Sequence, residues 1–314
     1  MQRLGGALDV ATPDTQRPLP LLPPRPGELQ LAVPRDSIGG LDFLALRGCA
    51  LQVTVGRRNS SLGRFAPPSQ RLLLELEFLR LAPDCIVTLR QRDNAELADT
   101  LAAARQRKQR LLPLRIYNAT LASDEFRSLW QTPAALGNYP ASTNGTPPAA
   151  LEAIAAGAAR WLAGDHRADN RALELLLADV AGGDGGELLA ALARQRAALA
   201  RADAVLARRA RLGPLCRGGL VPREVAILRT VVRKYFIGEV QPWAVAVDRR
   251  RQQLLPPLRA LERRLAEVLP PAYRAWRDAR DSRLEKAAQA PRRHVRRLQA
   301  LLEPCPGGRG LAPG

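Results

Sequence analysis

The polar residues between Arg57 and Arg71 are the densest group in this chain able to hold or attack a ligand. Asn59, Ser60, Ser61 and Gly63 follow Arg57, and Ser69, Gln70 and Arg71 follow Pro67-Pro68. Short polar side chains and a glycine N–H can ring an anion, with Arg57 or Arg64 as the cation. The preferred reading is plainer: a rigid turn whose side chains satisfy their own backbone and cap the next helix. Ser60 or Ser61 would become a nucleophile only beside a base. His166 and His294 are the two histidines, so the C-terminal helix carrying His294 would have to pack on this loop. No G-x-S-x-G, P-loop or H-E-x-x-H pattern occurs, so no reaction is named and no cofactor is implied. An uncatalogued polar site from Asn59 to Arg71 is the enzymatic alternative.

Other chemistry-bearing points are more scattered. Asn118 and Thr120 form an isolated polar pair in an irregular segment. Gln241, Pro242 and Trp243, with Tyr235 and Phe236, make the densest aromatic cluster; core packing is the default, and a ligand cleft the alternative. Arg292-Arg293-His294-Val295-Arg296-Arg297 reads as a basic helix face, solvated or facing anionic lipid headgroups. Aromatic residues are not interleaved with these arginines, which counts against nucleic acid. Four cysteines occur, none in a C-x-x-C pair, so no metal site is expected. Each lies at a helix boundary, where a staple between helices would be placed. We pair Cys49 with Cys85 and Cys216 with Cys305, each closure stabilising by roughly 4 kcal/mol. Four thiols in a cytosolic protein are the alternative.

The elements that must position these residues are helical. The 314 residues are 46% hydrophobic but 4% aromatic, so the core is Leu, Ala and Val, a mix that favours helix. The formal charge is +18, almost all from arginine spread along the chain. Such a field could draw nucleic acid, anionic lipid or an acidic partner, although a GC-rich genome writes arginine wherever a solvated cation will do. No stretch is apolar enough for a membrane span. We expect an all-α fold: an irregular multi-helix bundle with a Pro-rich N-terminal strap and two disulfide staples. Residues 1–34 form a helix remnant and strap without a helix of its own. Residues 35–305 form one helical domain with an irregular loop at 131–148, and 306–314 a loose tail.

Particular boundaries follow from caps and breakers. Asp36 or Ser37 starts a helix to about Gly56 carrying Leu41, Leu44 and Leu51. Ser69 caps the helix after Pro67-Pro68, and Pro83 breaks it. Asn94 caps a helix that Pro113 ends. Asp184 and Glu187 make a capping box. A helix from Pro222 stops at Gly238, and Gln241-Pro242-Trp243 starts the next, kinked at Pro256-Pro257.

Several blocks resemble the bacterial family called domain of unknown function 3080. They are RNSSLGR with PPSQRLLLELEFLRLAPDC, then IYNATLASDEFRSLW, then LCRGGLVPREVAILRTVVRKYFIGEVQPW, and HVRRLQALLEPC. The likeness runs from about Leu4 to Cys305. It implies an exported envelope protein on the periplasmic side, usually made with a leader ending in a lipid-modified cysteine, and it supports the two disulfides. Met1-Gln2-Arg3-Leu4-Gly5-Gly6 carries no such leader and falls inside what resembles the first mature helix. The native start lies upstream, or the chain was trimmed, or this copy is not exported. The family brings no activity with it. The expectation is therefore a non-catalytic envelope-associated protein binding a protein, a ligand or a membrane-surface partner. A basic cytoplasmic nucleic-acid-binding protein is the remaining alternative.

Overall fold

The computed structural model describes residues 2–8, 20–34, 46–217 and 220–307. The expected helix start at Asp36 or Ser37, with Leu41 and Leu44, lies outside the described residues. Among the described residues there is no strand, only an isolated antiparallel bridge between Arg217 and Leu220.

The helices, in order, are α1 (Gln2–Ala7), α2 (Pro26–Leu29), α3 (Leu51–Asn59), α4 (Ser61–Phe65), α5 (Pro68–Gln91) and α6 (Ala95–Ala119). Then come α7 (Asp124–Leu129), α8 (Thr146–Leu162), α9 (Asn170–Ala181), α10 (Gly185–Arg211) and α11 (Arg223–Val231). A π-helix, Val232–Val240, runs into α12 (Gln241–Arg264). A 3₁₀ turn, Ala266–Val268, precedes α13 (Pro271–Ala288) and α14 (Ala290–Leu302).

Several boundaries differ from the sequence reading, each for a physical reason. Leu46 to Ala50 form a turn through Gly48 at φ 88°, so α3 begins at Leu51. The strap holds a short helix after all, α2, with Pro26 in its first turn and Arg25 N–H donating to Glu28. Pro67, not Ser69, caps α5; Ser69 is buried in the first turn. Pro83 and Pro113 lie inside α5 and α6 rather than ending them. An interior proline costs about 3 kcal/mol. Buried Leu79, Ala82 and Ile86 surround Pro83, and Leu112 and Ile116 surround Pro113. Burial of such side chains contributes roughly 1.5–3 kcal/mol each, which outweighs that cost.

The helix from Pro222 does not stop at Gly238. It widens into the π-helix, where the Gln241 N–H reaches the Phe236 carbonyl, and continues as α12. Pro242 has no N–H for the carbonyl four residues back and crowds it; the wider turn ahead of it accommodates the ring. Asp184 forms no capping bond to α10. Its carboxylate is held instead by Arg250. The glycines beside it serve close approach: a Cβ on Gly186 would stand 1.7 Å from the Gln131 carbonyl oxygen.

Three clusters make the interior. The largest joins α5, α6, α7, α8, α9, the N-terminal half of α10, α12 and α13. The strap lies on it through Leu21, Leu29 and Leu31. A second joins α1, the C-terminal half of α10, α11 and α14. A third joins α3 with the facing halves of α5 and α6. Cys49–Cys85 lies within the third cluster and Cys216–Cys305 within the second, with Cα separations of 5.4 and 5.1 Å. The pairing is the one expected, and no helix is long and apolar enough to cross a membrane among the described residues.

Candidate functional site

The Asn59–Arg71 stretch is a pair of helix ends rather than an open loop. Ser60 ends α3 and caps α4: its hydroxyl accepts from the Gly63 N–H at 3.1 Å and donates to the Arg57 carbonyl at 2.7 Å. Gly63 is needed for contact, since a Cβ would stand 2.1 Å from the Arg57 carbonyl oxygen. Asn59 and Ser61 are exposed. Arg57 is paired with Glu77 at 2.6 Å, and Arg58 with Glu75 at 3.1 Å. Gln70 reaches away to Asn170 and Glu174 of α9, both at 2.6 Å. Arg71 is exposed on the first turn of α5. The Arg64 side chain lies outside the described residues. His294 is held by Asp203 at 2.7 Å on α10, beside the Phe236 ring, and Ser60 has its own partners on α3 and α4.

Asn118 clamps the strap. Its amide accepts from the Leu31 N–H at 2.9 Å and donates to the Leu31 carbonyl at 2.8 Å. Thr120 donates to the Ile116 carbonyl.

Gln241 and Trp243 do reach a cavity. A cleft of about 460 Å³ lies between residues 138–145 and α12. Its α12 wall is Trp243, Ala246, Arg250 and Gln253 with Arg249 beside them, a spacing that puts the first four on one helical face. The Trp243 indole N–H donates to the Tyr139 carbonyl at 2.9 Å, which fixes the ring in the wall. Beneath it, buried Arg250 grips Asp184 through Nε at 2.8 Å and through Nη2, and holds Gln253 at 3.3 Å. Burial and the Asp184 charge push the Tyr139 hydroxyl well above its ordinary value, so it stays protonated. A second groove of about 450 Å³, lined by Ile237, Gln241, Pro242 and Val245, shares Ala246 and Arg249 with the first. Among the described residues no carboxylate, histidine, serine or cysteine lines either one. Arg249 is exposed and has no ion-pair partner among the described residues.

The aromatic centre of the fold is elsewhere. Tyr117, Phe126, Trp130, Tyr273 and Trp276 pack edge-to-face and tilted around Arg280. That guanidinium is fully buried, bidentate to Glu262 at 2.8 and 3.0 Å, and 5.0 Å from the Trp276 ring centre. Tyr273 donates to the same carboxylate at 2.7 Å. Nearby in sequence terms nothing marks this box, because its rings come from α6, α7 and α13. Glu75 is likewise buried under Lys108 at 2.6 Å, and burial pulls that amine below its ordinary value despite the carboxylate. Among the described residues no group of His, Cys, Asp and Glu is arranged to hold a metal ion.

No curated protein and no solved structure matches the chain. A family model described as "Protein of unknown function (DUF3080)" matches residues 1–307, the whole length that carries the helices and both disulfides. The chain therefore belongs to the DUF3080 family.

Proposed function

We propose that this protein is a non-catalytic binding protein of the bacterial envelope, working in an oxidising compartment and taking its ligand in the cleft between residues 138–145 and α12. The observation that carries the reading is the construction of that cleft. Trp243 is pinned by its indole N–H and Arg250 by Asp184, so the walls are pre-organised. The volume is that of an ordinary small-molecule site. Among the described residues the lining offers amides, hydroxyls, an indole face and the Arg249 guanidinium, and no carboxylate, histidine or cysteine suited to nucleophilic attack or proton transfer near neutral pH. Two disulfides with no free cysteine among the described residues support a compartment outside the reducing cytosol.

Native mass spectrometry of the purified protein tests the cleft. A bound non-protein mass is expected on the wild type and is lost in Trp243→Ala. A mass retained by the variant, or none on either protein, contradicts the reading. The compartment is tested by acid-quenching whole cells and alkylating without reductant: no adducts are expected, and four would contradict it.

A further inference from the structure

We infer that the two grooves on α12 form one continuous site for a single-chain anionic amphiphile: an apolar chain, a phosphate-type anion and a hydroxylated headgroup, in that order. The inference rests on the cleft proposed above and assigns its ligand class. Gln241, Val245, Arg249 and Gln253 recur every four residues, so they form one ridge along α12 at about 6 Å per step. The chemistry changes along that ridge. The N-terminal part is apolar, with Ile237 and Val245 exposed at 42% and 54% beside Pro242. Gln253, at the other end, faces the cleft that also carries Asn138, Thr143 and Asn144.

Arg249 stands between the two and lines both. Its charge is the one available to a ligand there, because Arg250 is spent on Asp184 while Arg249 has no carboxylate partner among the described residues. An exposed guanidinium suits a phosphodiester or carboxylate oxygen pair. The flanking apolar groove would cover a chain, and the amide cleft would hydrogen-bond hydroxyls. A neutral sugar would leave Ile237 and Val245 bare, and a simple fatty acid would leave the amides of the cleft unused.

Calorimetry on the full, oxidised chain tests this with three probes below their aggregation limits. They are lysophosphatidylglycerol, an alkyl maltoside of the same chain length, and glycerophosphoglycerol without a chain. The expected result is that lysophosphatidylglycerol binds at least about tenfold more tightly than either other probe, since the maltoside lacks the charge-assisted pair and glycerophosphoglycerol lacks the buried chain. Arg249→Ala should remove that advantage and leave maltoside binding unchanged, and Val245→Asp should weaken both chain-bearing probes. Equal affinity for lysophosphatidylglycerol and maltoside, or an unaltered Arg249→Ala, overturns the ligand class. The cleft itself still stands in that case if Trp243→Ala loses its bound mass. Co-sedimentation with phosphatidylglycerol vesicles identifies the source of the headgroup as a bilayer, and binding of monomer without sedimentation identifies a free molecule; either agrees with the assigned chemistry.

Discussion

The centre and the two ends of this molecule are held together differently. The central cluster buries stretches of eight helices, α5 to α10, α12 and α13, and a five-ring aromatic box closed on Arg280 and Glu262. It contains no disulfide. Each end cluster is smaller, draws on fewer helices, and contains one disulfide. The difference follows from how apolar burial scales. A small patch of Leu and Val between a few helices gives little more than the chain entropy it must offset. A covalent closure lowers the entropy of the unfolded chain instead. The proposed ligand cleft is built on the central cluster, since Tyr139, Val247 and Leu254 belong to it and Trp243 packs against it.

Reducing both disulfides should have the largest effect. Loops of 36 and 89 residues correspond to about 4 and about 5 kcal/mol of stabilisation. Denaturant melts with and without reductant measure the sum. A loss much below 4 kcal/mol would mean that the ends are self-sufficient and the contrast is wrong.

Next comes the central ion pair. Glu262→Ala leaves Arg280 buried without its carboxylate and should cost about 3–5 kcal/mol. Replacing the pair together, as Glu262→Leu with Arg280→Met, should restore most of that loss, because well-packed apolar residues often match a buried pair. If the double variant is as unstable as the single one, the guanidinium has a role in the box beyond pairing.

Alkaline pH sharpens the same contrast. Tyr117, Tyr139 and Tyr273 have their hydroxyls raised above the ordinary value of 10.0, first by burial, and for Tyr273 also by Glu262. The unfolded chain releases these protons near pH 10 while the folded centre keeps them, so the unfolded state binds fewer protons and stability falls as pH rises. The slope should reach up to about 4 kcal/mol per pH unit above pH 10 for three such groups, opposed in part by Lys108, whose lowered value works the other way. Unfolding curves from pH 8 to 11 measure it; a flat profile would show that these hydroxyls are not shielded. The smallest effect is local. Asn118→Ala removes two hydrogen bonds to Leu31 and should cost about 1–3 kcal/mol, with faster amide exchange in residues 20–34.

The helical class and the two staples were legible in the sequence, but not the division between centre and ends. Leu and Ala content pointed to an all-helical fold, and cysteines at helix boundaries pointed to the two staples. Asn94 was readable as a cap, because a cap is a contact three residues away, and its side chain accepts the Leu97 N–H. Prolines misled at 83 and 113, since tertiary burial outweighs a local penalty that sequence alone exposes. Asp184 misled as a cap because its partner, Arg250, is 66 residues away. The aromatic box was invisible for the same reason, its rings coming from residues 117–130 and 273–276. Gln241 and Trp243 were picked for their types, whereas Arg249 and Gln253, further along α12, look like ordinary solvated residues until the 138–145 loop is placed beside them.

Hydrogen exchange on the oxidised and the reduced protein tests the account most directly. After reduction, amides in 51–59 and 290–302 should lose protection, while those in 243–261 and 271–284 keep it, so that the cleft outlasts the clasps. Loss of protection in 243–261 in step with the ends would contradict a self-supporting centre, and with it the rigid platform on which the binding site depends.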